Sequence, residues 1–322
     1  MDLSIITVCY NAAAVLPRCI ASVAPLLRQH ELSVEHLIID GASTDGSLEL
    51  LQQAQQRGDI SRLISEPDMG IYDAMNKGIA AAMGTICVFI NADDEICADA
   101  VPACCAPILK GTADYTVSIA SVLTPDGQTL RVWHPNFDQM WIGVPYCHQT
   151  LYCRTDLLRQ MGGFRTDYRI AADTDLIYRL YKQQYRHAVV EKESAIFRTG
   201  GASTDKQTFS EQLSLILEYT TNILHKAKES PEFCSLTLHM LFHFISRYFI
   251  HYGTMERSQL IQKSLELHRA VAMLLPSSKR NAIRKRYRNK AIFNKILSFL
   301  HGRGKTKQRT RSYAYAVLME YC

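Results

Sequence analysis

Residues 64–94 read ISEPDMGIYDAMNKGIAAAMGTICVFINADD: an acidic turn, a helical stretch, an apolar strand and two adjacent aspartates. Thr85-Ile86-Cys87-Val88-Phe89-Ile90 is a short continuous apolar run, the pattern of a strand buried on both faces of a parallel sheet. Such a strand ends in a surface loop, here Asn91-Ala92-Asp93-Asp94. In open α/β sheets ligands bind outside the carboxyl ends of the strands. Hard oxygen ligands placed there suit Mg²⁺ or Mn²⁺ holding a diphosphate. Asp is equally a favoured helix N-cap, so this pair alone leaves metal binding and capping as two open readings.

Working outward, residues 3–123 alternate strand and helix signals in the manner of a parallel α/β sheet. Ser4 to Cys9 reads as a strand, followed by a helix from about Val15 to Arg28. Val34 to Asp40 is a second strand, whose loop, Gly41-Ala42-Ser43-Thr44-Asp45-Gly46, offers several N-caps for a helix carrying Leu48, Leu50, Leu51 and Ala54. Arg62 to Glu66 is a weaker third strand, and a helix with Ala74, Met75, Ile79 and Ala82 leads to the fourth. Beyond it the pattern loosens, although Asp126-Gly127 between Val122 and Val132 predicts a hairpin. The four strands end at Tyr10-Asn11, Asp40, Glu66-Pro67-Asp68 and Asn91-Ala92-Asp93-Asp94. In a parallel sheet these ends share one edge, so four polar strand ends converge on one crevice. Capping explains one such end more readily than four. Neither a G-x-G-x-x-G fingerprint nor a P-loop stands between Asp40 and Asp93. Charge neutralisation of a phosphate ligand is then left to a divalent metal, which strengthens the metal reading of Asp93.

The chain of 322 residues is 47% hydrophobic and 21% charged, an ordinary globular composition with ample material for a core. The start Met1-Asp2-Leu3 has no basic leader, so no signal peptide is expected. The longest apolar stretch, Leu236 to Tyr252, is broken by His239, His243, Arg247 and His251, which argues against a membrane span. None of the 10 cysteines forms a C-x-x-C pair; a reduced, cytosolic protein without a disulfide framework or structural zinc is expected. From Phe209 onward the spacing is helical: Phe209 to Leu224, then aromatic-rich Leu236 to Tyr252, then Met255 to Leu275. Between Lys279 and Arg311 stand 13 Lys and Arg without one acid, leaving 23 of the 36 basic residues against all 31 acidic ones. This basic tail is a solvated segment or seeks a polyanion. Its interleaving with Ile292, Phe293, Ile296, Leu297 and Phe299 favours interfacial binding to an anionic membrane over nucleic acid.

The runs SIITVCYN, IIDGASTDGS, SEPDMGIYDAMNKG and VFINADDE, in that order, resemble the family 2 glycosyltransferases of the GT-A fold. The resemblance covers roughly residues 2–205. It extends to Pro145-Tyr146-Cys147-His148-Gln149, Gly162-Gly163-Phe164, Ala172-Asp173-Thr174-Asp175-Leu176 and Phe197-Arg198-Thr199-Gly200-Gly201. The wording is nearest to bacterial envelope-polysaccharide members of the colanic acid or O-antigen type. The resemblance implies an α/β GT-A nucleotide-sugar-binding fold, with a mostly parallel central sheet flanked by helices. It also implies roles for particular residues. Asp40 would contact the nucleotide base in a pocket with Thr7, Tyr10 and Asn11, and Glu66 would lie near the nucleoside. Asn91-Ala92-Asp93 occupies the D-x-D position, with Asp93 the direct ligand of Mn²⁺ or Mg²⁺. Asp173 matches the catalytic base, and His148 and Gln149 fall near the diphosphate or acceptor. Lys77 either approaches phosphate or is a solvated helix lysine.

Two departures stand out. Asn91 replaces the first acid of D-x-D, removing one negative charge. Ala172, where many members carry Glu, precedes Asp173. Asp175 is thus an alternative base, although on a helix it lies about 200° around from Asp173, and Asp173 itself could simply cap that helix. The implied activity is inverting, metal-dependent transfer from a UDP- or GDP-sugar to a lipid-linked saccharide in envelope polysaccharide synthesis. The implied location is the inner face of the cytoplasmic membrane, held peripherally. The expected division is a catalytic domain at 1–205, a helical extension at 206–278 and a membrane-associating tail at 279–322. A sugar-phosphate nucleotidyltransferase is the alternative enzyme, but Asn11-Ala12-Ala13-Ala14 lacks the Gly-rich basic loop of that class. A non-catalytic membrane adaptor retaining the fold is the alternative outside enzymes.

Overall fold

The computed structural model describes residues 1–137 and 144–201, together with residues 211, 215 and 218. The chain divides into two compact units, 1–140 with 144–212, and 141–143 with 213–322. The helices expected beyond Phe209 and the basic tail lie outside the described residues.

The first unit alternates as its periodicity dictates: β1 (Leu3–Cys9), α1 (Leu16–Arg28), β2 (Val34–Asp40), α2 (Ser47–Gln56), β3 (Arg62–Ser65), α3 (Ile71–Ala81) and β4 (Ile86–Phe89). There follow β5 (Glu95–Ile96), α4 (Val101–Leu109), β6 (Tyr115–Leu123), β7 (Thr129–Trp133), β8 (Tyr152–Arg154), α5 (Thr155–Gln160), α6 (Ala172–Lys182) and β9 (His187–Arg198). Among the described residues these strands form one sheet, ordered β3-β2-β1-β4-β8-β6-β9-β5, with β7 on β6. The first four strands are mutually parallel. Beyond them the sheet is mixed: β8 runs antiparallel to both β4 and β6, whereas β6 and β9 are parallel. The hairpin expected around Asp126-Gly127 is β6–β7. The sequence pattern loosened after Asp94 because β5 and β8 have only two and three residues, too few to show a period.

All seven residues of β1 are buried, as a central strand covered on both faces requires. Leu3 and Ile5 pack with Cys19 and Val23 of α1, Val88 of β4, and Val101 and Cys104 of α4. On the opposite face α3 lies against β1. A Cβ at Gly78 would come 2.5 Å from Ile6 Cγ2, so a glycine here lets helix and sheet approach closely.

One buried polar contact in this core is His36 Nε2 to Thr7 Oγ1, at 3.0 Å. Both residues are fully buried, and burial pushes the His36 imidazole down to about 3. The unfolded chain gains a proton at this histidine below about pH 6.5 while the folded chain stays neutral. Its contribution is therefore complete above that pH and declines as pH falls toward 3, at no more than about 1.4 kcal/mol per unit. Urea unfolding between pH 4 and 7 is expected to show a shallower pH slope in His36→Gln, which keeps a partner for Thr7, than in the parent. Identical slopes would assign the acid sensitivity to other groups.

Candidate functional site

Strand order 3-2-1-4 places β1 between β2 and β4, so the chain reverses its direction of winding at β1. The crevice at that switch lies outside the carboxyl ends of β1 and β4, bounded by Tyr10-Asn11 on one side and Asn91–Asp94 on the other. Asp40 stands alongside, opposite Cys9 in the β1–β2 register.

Asp40 is fully buried, and its carboxylate is already oriented. It accepts hydrogen bonds from Ser43 Oγ at 2.5 Å, Ser43 N at 3.1 Å and Ser65 Oγ at 2.6 Å. The two flanking loops are laced together. Asn11 N donates to Ser43 Oγ, Asn11 Oδ1 accepts from Thr44 N, and Ala13 N donates to Asp45. Asn11 and Ala42 both adopt left-handed backbone, with φ of 51° and 61°. Strain of this kind at non-glycine residues persists only where the surroundings impose it. Gly41 keeps the approach open: a Cβ there would come 2.5 Å from Asp68 Oδ2 and 3.3 Å from the Tyr10 ring. Tyr10 itself is 64% exposed, which leaves its ring available to a planar ligand.

One expected member of this pocket, Thr7, is not brought to it. Thr7 points into the core, between Cys19 Sγ and His36 Nε2, because strand alternation turns it toward α1. Lys77 is engaged by Glu66 at 2.9 Å, Asp73 at 3.6 Å and the Pro67 carbonyl at 2.7 Å. It braces the 66–73 segment in this way. Glu66 is about half exposed and serves as one of those braces.

At the β4 end the two aspartates divide. Asp94 is fully buried and structural: it accepts from Gln149 Nε2 at 2.5 Å and from Arg198 N at 2.8 Å. Asp93 is partly exposed, and a Cβ at Gly201 would sit 2.7 Å from its Oδ2. Burial pushes the carboxyls of both aspartates up, and in Asp94 the charge of Asp93 adds to that. The positive charges of Arg18 and His148 oppose the rise at Asp93. Arg18 also reaches the Asp93 carbonyl at 3.4 Å while paired with Glu95 at 3.2 Å. Asn91 Oδ1 is buried without a hydrogen-bond partner.

Asp173 is the second residue of α6, just after the loop at 169–171. That loop is tied down by Glu211, whose carboxylate accepts from the amides of Arg169, Ile170 and Ala171. Asp173 Oδ1 accepts from Thr174 N at 2.6 Å and from Tyr72 Oη at 3.3 Å, and Oδ2 lies 3.3 Å from His148 Nδ1. Burial raises this carboxyl, but hydrogen bonds and charge from His148 and Thr174 outweigh it and hold the group below the usual carboxylate range. Asp173 is therefore ionised at neutral pH. Asp175, the alternative base, is excluded by its surroundings: it is fully buried and bonded to Arg179 Nε at 2.7 Å and Arg165 at 3.5 Å.

Sequence reasoning missed the supporting set: Ser43 and Ser65 on Asp40, Tyr72 on Asp173, and Arg18 beside Asp93. Ser43 is three residues from Asp40 and its turn was open to a local reading; the other pairs are separated by 25 to 101 residues, and no local pattern links them.

Among the described residues no cluster of three or more His, Cys, Asp or Glu side chains stands ready for a metal. The oxygen donors at the β4 end nevertheless fit a hard divalent cation. Asp93 supplies a carboxylate, and Asn91 supplies a buried acceptor with nothing to accept from.

The profile of Glycosyl transferase family 2 matches residues 4–176. A PGL/p-HBAD biosynthesis glycosyltransferase of Mycobacterium bovis is 30% identical over 213 residues, covering 63% of this chain and 81% of that protein. An uncharacterized glycosyltransferase of Mycobacterium tuberculosis is 31% identical over 186 residues, covering 55% and 67%. The crystal structure of S. aureus TarS 1–349 in complex with UDP superposes with a TM-score of 0.61 at 19% identity, covering 97% of this chain and 92% of that one. Its complex with UDP-GlcNAc gives 0.60 at 18%, covering 93% and 89%. These structural likenesses bear out the GT-A architecture. With the strand-end crevice and the match over 4–176, the chain belongs to glycosyl transferase family 2 and is a glycosyltransferase.

Proposed function

We propose that this enzyme transfers a sugar, with inversion, from a UDP- or GDP-linked donor to a lipid-linked saccharide of the bacterial envelope. The observation that carries the reading is the crevice itself, where the oriented, buried carboxylate of Asp40 shares one sheet edge with Asp93, and Asp173 pairs with His148. The nucleotide base lies against Tyr10, with its ring N–H donated to Asp40; Ser43 and Ser65 hold that carboxylate in place beforehand. Asp93 and Asn91 hold a divalent cation, Mn²⁺ or Mg²⁺. When bound, such a cation offsets the charge that grows on the departing diphosphate. Asp173 accepts the proton of the acceptor hydroxyl as its oxygen attacks the anomeric carbon, and the nucleoside diphosphate leaves from the opposite face. Positioning of the two reactants supplies much of the remaining acceleration. The UDP- and UDP-GlcNAc-bound state of TarS supports a uridine nucleotide donor, and the mycobacterial relative named for PGL/p-HBAD biosynthesis supports glycosyl transfer in a biosynthetic route. The envelope-polysaccharide setting otherwise rests on the likeness of the motifs.

A thermal-shift panel of UDP- and GDP-sugars with Mn²⁺ tests the donor. One nucleotide class is expected to raise Tm, and the sugar that raises it is expected to be hydrolysed slowly without acceptor. A panel without any shift or hydrolysis would return the adaptor reading.

The basic tail belongs to the same proposal as the contact with the inner membrane face. Stable peripheral attachment needs two signals, and 279–311 combines clustered cations with an amphipathic 292–300 segment. The full chain is expected to sediment with anionic liposomes at low salt and to be released toward 1 M, where the Debye length shrinks to ~3 Å. A chain ending at Ser278 is expected to stay in the supernatant; equal sedimentation of both forms would move the contact elsewhere.

A further inference from the structure

The loop that delivers Asp173 is held from outside itself. Residues 168–172 read YRIAA and carry no acid, so three successive amides just ahead of α6 have no carboxylate of their own to bond. Glu211 supplies one from 40 residues beyond Ala171. Its Oε1 accepts from Arg169 N at 3.1 Å, and its Oε2 accepts from Ile170 N at 2.8 Å and Ala171 N at 3.1 Å. Consecutive amides turned toward one anion form a nest, and the anion keeps the backbone in that shape. Ala171 is fully buried, and a buried donor left unpaired is costly. Without Glu211 the loop would rearrange to find another acceptor.

That grip passes to Asp173 through short, bonded steps. Ile170 is pinned twice, its amide by Glu211 and its carbonyl by Tyr72 Oη at 2.6 Å. Ala171 gives its amide to Glu211, and its carbonyl accepts from Asp175 N at 3.1 Å, within the first turn of α6. Asp173 lies inside that turn, and no side chain caps the helix at Ala171, so the start of α6 depends on the loop. Tyr72 Oη stands 3.3 Å from Asp173 Oδ1, and His148 Nδ1 stands 3.3 Å from Oδ2. A displaced loop would draw Asp173 away from both. We propose that Glu211 is a positioning residue for the base: through the 169–171 loop it holds Asp173 where the acceptor hydroxyl gives up its proton. The inference rests on the reading of Asp173 as that base and deepens it. It also carries the working parts of the enzyme past residue 205, where the likeness of motifs ends.

A double-mutant cycle in the full chain tests this. The readout is release of nucleoside diphosphate from the sugar nucleotide that raises Tm in the panel above; without acceptor, water yields its proton to the same base. Glu211→Ala is expected to lower kcat by about 10²-fold, the scale on which a small misplacement of a reacting group acts. The KM for that sugar nucleotide, and the Tm rise it gives with Mn²⁺, are expected to stay near the parent's, because Asp40 is held by Ser43 and Ser65 instead. In an Asp173→Asn background the same change is expected to cost almost nothing further, since a base already lost cannot be misplaced. Glu211→Gln keeps one acceptor oxygen and is expected to fall between alanine and parent; it takes over the comparison if the alanine variant loses its nucleotide-dependent Tm rise. An undiminished further loss in the Asp173→Asn background would show Glu211 acting elsewhere than through the base. That result, or parent-like kcat in both Glu211 variants, overturns the positioning role and leaves Asp173 as the base. Near-parent turnover by Asp173→Asn alone overturns both.

Discussion

Asp93→Ala is expected to reduce transfer by on the order of 10³-fold or more, since charge stabilisation by a metal supplies several kcal/mol and each 1.36 kcal/mol is a factor of ten. The fold should survive the change. Asp93 lies in the loop after β4, and burial already disfavours its charged form, so removing the carboxylate relieves a cost and deletes little packing. The Tm of the variant is expected to stay within a few degrees of the parent. Activity of the parent should vanish in EDTA and return with Mn²⁺ or Mg²⁺. Full activity in chelator would detach Asp93 from any metal role, and a collapsed Tm would make the variant uninformative about chemistry, in which case the chelator result decides.

Asp173→Asn is expected to lower kcat by roughly 10²–10⁴-fold, the usual contribution of a general base, with the KM for the donor changed far less. The Asp40 pocket, which holds the nucleoside, makes no contact with Asp173 through any of its bonded partners, so donor binding has no reason to fail. The assay belongs at saturating Mn²⁺. Asp173 is held ionised by His148 and Thr174, which is the state a base must occupy before the acceptor hydroxyl arrives. Near-parent turnover by the variant at saturating Mn²⁺ would remove Asp173 as the base. Asp175 would not inherit the role, because Arg179 and Arg165 occupy it in the interior.

Much of this protein was legible before any coordinates. The first four strands and three helices follow from apolar periodicity, because central parallel strands and the helices that cover them carry long, regular patterns. Strand β2 was read with the boundaries it has, Val34–Asp40, since a buried run flanked by turn residues has few other placements. The convergence of Tyr10, Asp40 and Asp93 on one edge needed only the rule that parallel strands end together. Short-range signals also sufficed for the β6–β7 hairpin.

The sequence could not say which side chains at those ends face the crevice. Thr7 and Tyr10 lie three residues apart on the same run, yet one is sealed against His36 and the other is open to solvent. That difference is made by the packing of α1 against the sheet. Lys77 was ambiguous for a related reason: besides Asp73, one turn away on α3, its partners Glu66 and the Pro67 carbonyl come from a loop that only folding brings beneath it. The separation of Asp93 from Asp94 was beyond the sequence as well, since adjacent identical residues are distinguished only by Gln149 and the Arg198 amide closing over one of them. The mixed half of the sheet was hidden because strands of two or three residues owe their pairing to neighbours rather than to any pattern of their own. Local periodicity and strand-end chemistry therefore determined the architecture and the edge on which chemistry occurs. Tertiary structure decided the identity of the working residues there, because burial and hydrogen-bond partners are drawn from segments as far apart as Tyr72 and Asp173, whose meeting no spacing along the chain encodes.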